Sequence, residues 1–209
     1  MGHKEQQENR EPIVINNTNE VLGFLEKAFE IYTTWEQTRH KQLIELRMEN
    51  APKIQSKLDK LTYKVGASRA MILEMHNGNE GVGGLPFTKC TATYESLNLG
   101  VHPVSHLYQA QNMSLMPFST FLFDKGYWCG NVDEMMEIDK GLCYKMKSNN
   151  TEHFAACVIE GIDKPLAFLI VSFESMPDNT HDCKFVLENI RHVALVVSVY
   201  LEVENRLKK

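Results

Sequence analysis

The stretch Ala70–Gly100, AMILEMHNGNEGVGGLPFTKCTATYESLNLG, decides the fold. Arg69–Met75, which opens it, is apolar at most positions, the pattern of a central strand covered on both faces. His76-Asn77-Gly78 then predicts a turn, because Asn and Gly tolerate positive φ. A loop carrying Gly81, Gly83 and Gly84 follows. Lys89–Ser96 returns as a second strand, where Thr91, Thr93 and Tyr94 favour β structure.

Working outward towards the N-terminus, Ala51-Pro52 predicts the restart of a helix, since proline suits a first turn. Ile54, Leu58, Leu61 and Val65 follow at steps of four, three and four, with Gly66 as the C-cap. Before it, Asn17 offers an N-cap with Glu20 three residues on. A long helix is predicted from Thr18 to Asn50. Val21, Leu25, Ala28, Tyr32 and Trp35 lie on one stripe, widened by Phe24, Phe29 and Ile31. Its second half, Glu36–Asn50, is far more polar. A helix of that length is expected to reach beyond its own domain, so the five stripe residues are interface candidates. Residues 1–16 read as a polar arm, 17–50 as a helical extension and 51–209 as the domain.

Towards the C-terminus, a helix is predicted from Pro103 to Gln111, and a short helix or an apolar turn after Pro117, ended by Gly126. Tyr127–Asn131 reads as a short strand and Val132–Ile138 as a short helix or turn. Glu152–Glu160 and Pro165–Glu174 carry the strongest strand patterns, joined across Gly161–Lys164 as a hairpin. A closing helix begins near His181 or Asp182 and runs to about Arg206 (Val186, Ile190, Val193, Val197 and Tyr200 share its face). This order predicts an α+β domain: an antiparallel sheet of five or six strands, with the helices before and after it on one face.

The order resembles the GAF domain, a relative of the PAS domain, over Pro52–Lys209. The string EMHNG…GGLPFTK…TYESLNLGV is also similar to small GAF-like proteins coded by bacteriophages and their hosts. Such relatives often carry a membrane segment before the domain, and none is read here. The resemblance implies a GAF/PAS-like fold. It leaves the ligand open, because such folds bind cyclic nucleotides, tetrapyrroles, small metabolites or nothing.

Composition narrows the function classes. Of 209 residues, 43% are hydrophobic and 23% charged, the balance of an ordinary globular chain. A formal net charge of −5 gives no basic footprint for nucleic acid. The apolar runs Pro165–Phe173 and Val193–Val203 fall short of the ~20 residues of a spanning helix. The polar start MGHKEQQENREP is not a secretory signal. The five cysteines, Cys90, Cys129, Cys143, Cys157 and Cys183, form no CxxC and are expected to be reduced thiols in a cytoplasmic setting.

The chemistry-bearing residues each have two readings. His76 is the natural acid–base group near neutrality, or it holds the turn through a backbone carbonyl. The glycines do not open a helix and no Lys follows them, so a cover is read rather than a phosphate loop. Glu74, Lys89, Tyr94 and Glu95 share two neighbouring strands and line a pocket, or Glu74 and Lys89 form a cross-strand ion pair. His102 and His106 have metal-chelating spacing on a helix, but Pro103 intervenes and no third ligand follows, so neither a metal nor a cofactor is expected. No nucleophile elbow, HExxH or carboxylate pair marks an enzyme. The main expectation is a non-enzymatic assembly protein, a homo-oligomer packed with other structural proteins in a phage virion neck, tail or ring, found in the producing cell's cytoplasm or in the virion. The alternative is a GAF-type small-molecule sensor using Arg69, Glu74, His76, Asn77, Lys89 and Tyr94.

Overall fold

A computed structural model describes residues 18–80, 86–175 and 182–202. The chain divides into two units, residues 1–42 and 43–209.

One helix, α1, spans Thr18–Val65. The expected restart at Ala51-Pro52 does not occur: Pro52 lies inside the helix. A proline there removes one N–H and crowds the carbonyl four residues back. Tertiary contacts around it outweigh that cost. Asn50, 2% exposed, donates from Nδ2 to the Tyr200 carbonyl at 3.1 Å, and Ile54 and Leu58 are fully buried. The helix ends where Gly66 takes φ 65° and Ala67 N–H donates to the Thr62 carbonyl.

In the first unit, Leu22, Leu25, Ala28, Phe29, Ile31, Tyr32 and Trp35 are all exposed. Tyr32 and Trp35 have ring centroids 6.4 Å apart, and the Arg39 guanidinium sits 5.5 Å over the Trp35 ring. Val21 is helical, with its side chain outside the described set.

The second unit holds a six-stranded sheet, every pair antiparallel. The strands are β1 (Arg69–Glu80), β2 (Pro86–Leu97), β3 (Gln111–Asn112), β4 (Tyr127–Asn131), β5 (His153–Glu160) and β6 (Pro165–Phe173). Their spatial order is β3-β2-β1-β6-β5-β4. His76-Asn77-Gly78 is therefore strand, not turn: His76 pairs with Lys89 and Asn77 with Thr88. Ladder pairing with β2 overrides the local Asn-Gly preference. The expected cover, Gly81–Gly84, lies outside the described residues.

Helices flank both faces of the sheet, not one. On the first face, Ile54, Leu58, Leu61 and Val65 of α1 pack with Val186, Ile190 and Val197 of the closing helix against Ala70, Ile72, Leu169 and Val171. The internal crossover covers the second face. It supplies α2 (Pro117–Lys125), α3 (Lys140–Ser148) and short 3-10 turns at Ser105–Tyr108, Met113–Leu115 and Val132–Glu137. Phe118, Leu122, Met135, Leu142 and Met146 pack there on Met71, Leu73, Phe168 and Ile170. The expected helix over Pro103–Gln111 is thus a single 3-10 turn followed by β3, and α3 had no counterpart in the sequence reading. The closing helix, α4 (Cys183–Leu201), starts at its N-cap Asp182, whose carboxylate accepts from Phe185 N–H at 2.8 Å.

Two of the five cysteines depart from expectation. Cys129 and Cys183 form a disulfide with Cα atoms 5.7 Å apart, while Cys90, Cys143 and Cys157 are free and buried.

Candidate ligand site on the second face of the sheet

Residues directly opposite in an antiparallel pair share a face, and side chains along a strand alternate. Ala70 and Ile72 are buried on the α1/α4 face, so Glu74 and His76 follow them there, with Tyr94 opposite Ile72 and Lys89 opposite His76. Arg69, Met71 and Leu73 point to the other face. A bulge between Ile72 and Leu73 moves the β2 partner from Tyr94 to Ala92 and leaves Thr93 unpaired in the ladder. Five of the six predicted ligand residues sit on β1 and β2 away from Arg69 or outside the described side chains. Asn77 belongs to the latter: its backbone pairs with Thr88, and its side chain is not described.

The Glu74 group is a polar rim. The Glu74 carboxylate accepts hydrogen bonds from the Arg47 guanidinium and the Thr93 hydroxyl. Arg47 is held above its ordinary value: burial is the largest single influence and opposes its charge, and the hydrogen bonds and charges of Glu74 and Tyr94 together outweigh it. Burial pushes the Tyr94 phenol up, opposed by Arg47 and reinforced by Glu74. His76 Nε2 and the Thr91 hydroxyl share a hydrogen bond at 2.8 Å. Glu74 pairs with Arg47 rather than with Lys89, so the expected cross-strand ion pair is replaced by a helix-to-strand one.

The second face is different. Arg69 is 4% exposed at the start of β1. Its Nε donates to the His102 carbonyl at 3.0 Å, and its Nη2 to the Glu174 carboxylate at 2.6 Å. Its Nη1 is buried without a protein acceptor. Trp128 Nε1 is the other such side-chain atom among the described residues, but it sits among the rings of Phe118, Phe121 and Phe154. Arg69 instead lines a cavity of about 20 Å³, walled by Met71, Val104, Met146 and Ile170 and by the polar Glu95, Tyr108, Asn149, Thr151 and Ser172.

The wall above this cavity is pinned by Glu95. Its two carboxylate oxygens accept from Val104 N–H at 2.8 Å and Ser105 N–H at 3.2 Å, which fixes the turn carrying Tyr108. Burial pushes the Tyr108 phenol up to about 12, with Arg69 lowering it and Glu95 raising it. Lys145 of α3 closes the rim, donating to the Leu107 carbonyl at 2.6 Å and lying 4.0 Å over the Tyr108 ring. The arrangement presents a guanidinium nitrogen without an acceptor beside carboxylate, hydroxyl and amide groups, with Met71, Val104, Met146 and Ile170 as the apolar wall. It can orient an oxygen acceptor. It holds no paired acid and base.

Tyr108, Thr151 and Ser172 escaped the sequence reading, whereas Glu95 was read there with Glu74, Lys89 and Tyr94 as a pocket candidate. Ser172 left a signal, as the polar residue within the apolar run Leu166–Phe173. Glu95 reads as a neighbour of Tyr94 until the strand's face is known. His102 contributes only its carbonyl, and among the described residues no cluster of three or more His, Cys, Asp or Glu is placed to hold a metal.

No protein-family model matches the chain, and no curated protein matches it in sequence. Solved structures do match in shape. The chain is similar to the phycoerythrobilin-bound GAF domain of a cyanobacterial phytochrome, with a TM-score of 0.56 at 14% identity over 83% of this chain and 94% of that one. The GAF domain of a two-component sensor histidine kinase from Bacillus halodurans gives a TM-score of 0.53 at 12% identity, covering 76% of this chain and 98% of that one. The chain has a GAF-like fold. A far-red cyanobacteriochrome photoreceptor matches the GAF-like domain with a TM-score of 0.52 at 9% identity, over 84% and 94% of the two chains. Among the described residues of the GAF-like chain, no helix is long and apolar enough to cross a membrane.

Proposed function

We propose that this GAF-like domain is a non-enzymatic small-molecule sensor or regulatory module, with Arg69 as the anchor of its ligand site. The observation that carries the reading is the buried Nη1 of Arg69, left without a protein acceptor in a residue that lines a partly polar cavity on the second face. A buried donor without a partner costs about 1–3 kcal/mol, which an acceptor at that point recovers. The matched GAF domains support the reading: one holds phycoerythrobilin and one belongs to a sensor kinase. A virion component draws no support from these folds.

Cavity size restricts the ligand. Sites for drug-sized molecules run to ~300–1,000 Å³. The 20 Å³ here fits a water or a group of similar size, so a tetrapyrrole is too large for the closed site. A larger ligand enters only if the turn over the sheet, Ser105–Tyr108, lifts from Glu95. The test is a set of ¹³C-methyl spectra of the full chain, titrated with a panel of small polar metabolites. Shifts at the Met71, Met146, Val104 and Ile170 methyls are expected for at least one compound. A panel that moves none of them, or only Ile54 and Leu58 on the α1/α4 face, contradicts the proposal.

The exposed stripe of α1 favours a second role alongside the first, self-association. Leu25, Tyr32 and Trp35 are each 55–57% exposed, a contiguous apolar surface of the kind that marks interaction sites. Light scattering at micromolar concentration should show more than one copy, and a double Leu25→Glu, Tyr32→Glu change should return a monomer. A monomeric wild type removes this role and leaves the ligand site untouched.

A further inference from the structure

The disulfide lies at a joint. Cys129 is the middle residue of β4, an edge strand of the sheet. Cys183 is the first residue of α4. Val186, Ile190, Ala194, Val197 and Leu201 of α4 enter the first-face core, and Phe185 of the first turn, partly buried, packs against it. Before Val186 the bond to Cys129 is the covalent tie that holds the first turn to the sheet.

The five sulfurs divide by environment. Cys90, Cys143 and Cys157 are buried. Burial pushes the Cys90 thiol up to about 11 against Lys145, and the Cys157 thiol up to about 12 against Arg191. Thiols held so far above neutrality are poor nucleophiles. Cys157 is the free thiol nearest the pair in the ladder, since its partner Tyr127 is two residues from Cys129. Cys129 and Cys183 are each partly exposed, and disulfides open to solvent are the labile ones.

We propose that Cys129 and Cys183 form a reversible redox site whose co-substrate is a small thiol of the glutathione type, and that its state sets how firmly the first turn of α4 is held to β4. In reduction, the thiolate of the small molecule attacks the Cys129 sulfur. The S–S bond breaks, and Cys183 leaves as a thiolate at the helix N-terminus. A second small thiolate attacks the outer sulfur of the mixed disulfide and releases Cys129 as a thiolate. The protein gains two electrons and, on protonation, two protons, and the two small thiols leave joined as their disulfide. Oxidation by that disulfide runs the same steps backward. The site is independent of the ligand cavity, which lies on the opposite face.

The test uses the full chain equilibrated over a series of reduced-to-oxidised glutathione ratios. Each sample is quenched in acid, alkylated differentially and read by peptide mass spectrometry. Cys129 and Cys183 should change state together within the series, while Cys90, Cys143 and Cys157 stay unmodified until the chain is unfolded. Hydrogen exchange at the amides of residues 183–186 should be on the order of tenfold faster in the reduced chain, with the rest of α4 unchanged. Cys183→Ser should show the faster exchange in every buffer, and if it fails to fold the wild-type series still decides. A pair that stays oxidised in reduced glutathione alone, or reduced in oxidised glutathione alone, overturns the proposal. So does a first turn whose exchange is indifferent to the redox state.

Discussion

Towards α1 and α4 the sheet presents Ala70, Ile72, Leu169 and Val171, none with any solvent exposure. Its opposite side is nearly as apolar at Met71, Leu73, Phe168 and Ile170, yet Arg69, Glu95 and Tyr108 are set among them. The charged groups of the first face, Glu74 and Arg47, stay at its rim, where water shares their solvation: the Arg47 side chain is 41% exposed. A buried guanidinium is a different matter. Its desolvation costs several kcal/mol before any partner is counted. Arg69 recovers part of that from Glu174 and the His102 carbonyl and leaves Nη1 without an acceptor. The first face is built for packing, and the second holds the polar group that packing does not explain.

The comparison can be broken first on the packing side. Leu169→Ala removes a fully buried side chain beneath α1 and α4 and should lower the unfolding free energy by about 2–5 kcal/mol in urea titrations. A loss under about 1 kcal/mol would mean that face is loosely packed. Arg69→Met is the matching change on the other side. It removes the charge, keeps the volume and leaves Glu174 with a partly exposed carboxylate, so a smaller loss of about 1–3 kcal/mol is expected by the same measurement.

Alkaline pH sharpens the contrast further. Tyr108 is raised from 10.0 to about 12, Cys90 from 9.0 to about 11 and Cys157 from 9.0 to about 12. Each ionises less readily folded than unfolded. Their contribution is therefore complete below the unfolded value and is lost as pH rises towards the folded one. Stability should be flat with respect to these groups below pH 9 and fall between 9 and 12. Tyr108→Phe should flatten the part of the fall between 10 and 12, read as urea midpoints at stepped pH. The smallest effect belongs to the rim: Glu74→Gln should change stability by about 0–1 kcal/mol, because its partner Arg47 is substantially exposed.

Much of the scaffold was legible in local patterns. The β5–β6 hairpin closes with Gly161 N–H donating to the Lys164 carbonyl, as its four-residue loop implied. Tyr127–Asn131 is a strand with the predicted ends, and Asp182 caps α4. What failed were the places where distant contacts overrule local preference. Pro52 sits inside α1 because Asn50 and Ile54 are anchored on either side of it. His76-Asn77-Gly78 extends as strand because β2 supplies a ladder. The site was only partly legible for a related reason. Arg69 was named, but Glu74, His76, Lys89 and Tyr94, grouped with it, alternate to the other face, and its neighbours Tyr108, Thr151 and Ser172 arrive from three separate segments. The disulfide joins cysteines 54 positions apart, a separation that carries no spacing signal.

The central claim, that the second face is the functional one, is tested most directly by native mass spectrometry of the freshly purified wild type, Arg69→Met and Glu74→Gln chains, with any bound small molecule identified after release. The account predicts a bound mass on the wild type and on Glu74→Gln that is absent from Arg69→Met. A mass retained by Arg69→Met and lost from Glu74→Gln would place the site on the α1/α4 face and contradict it.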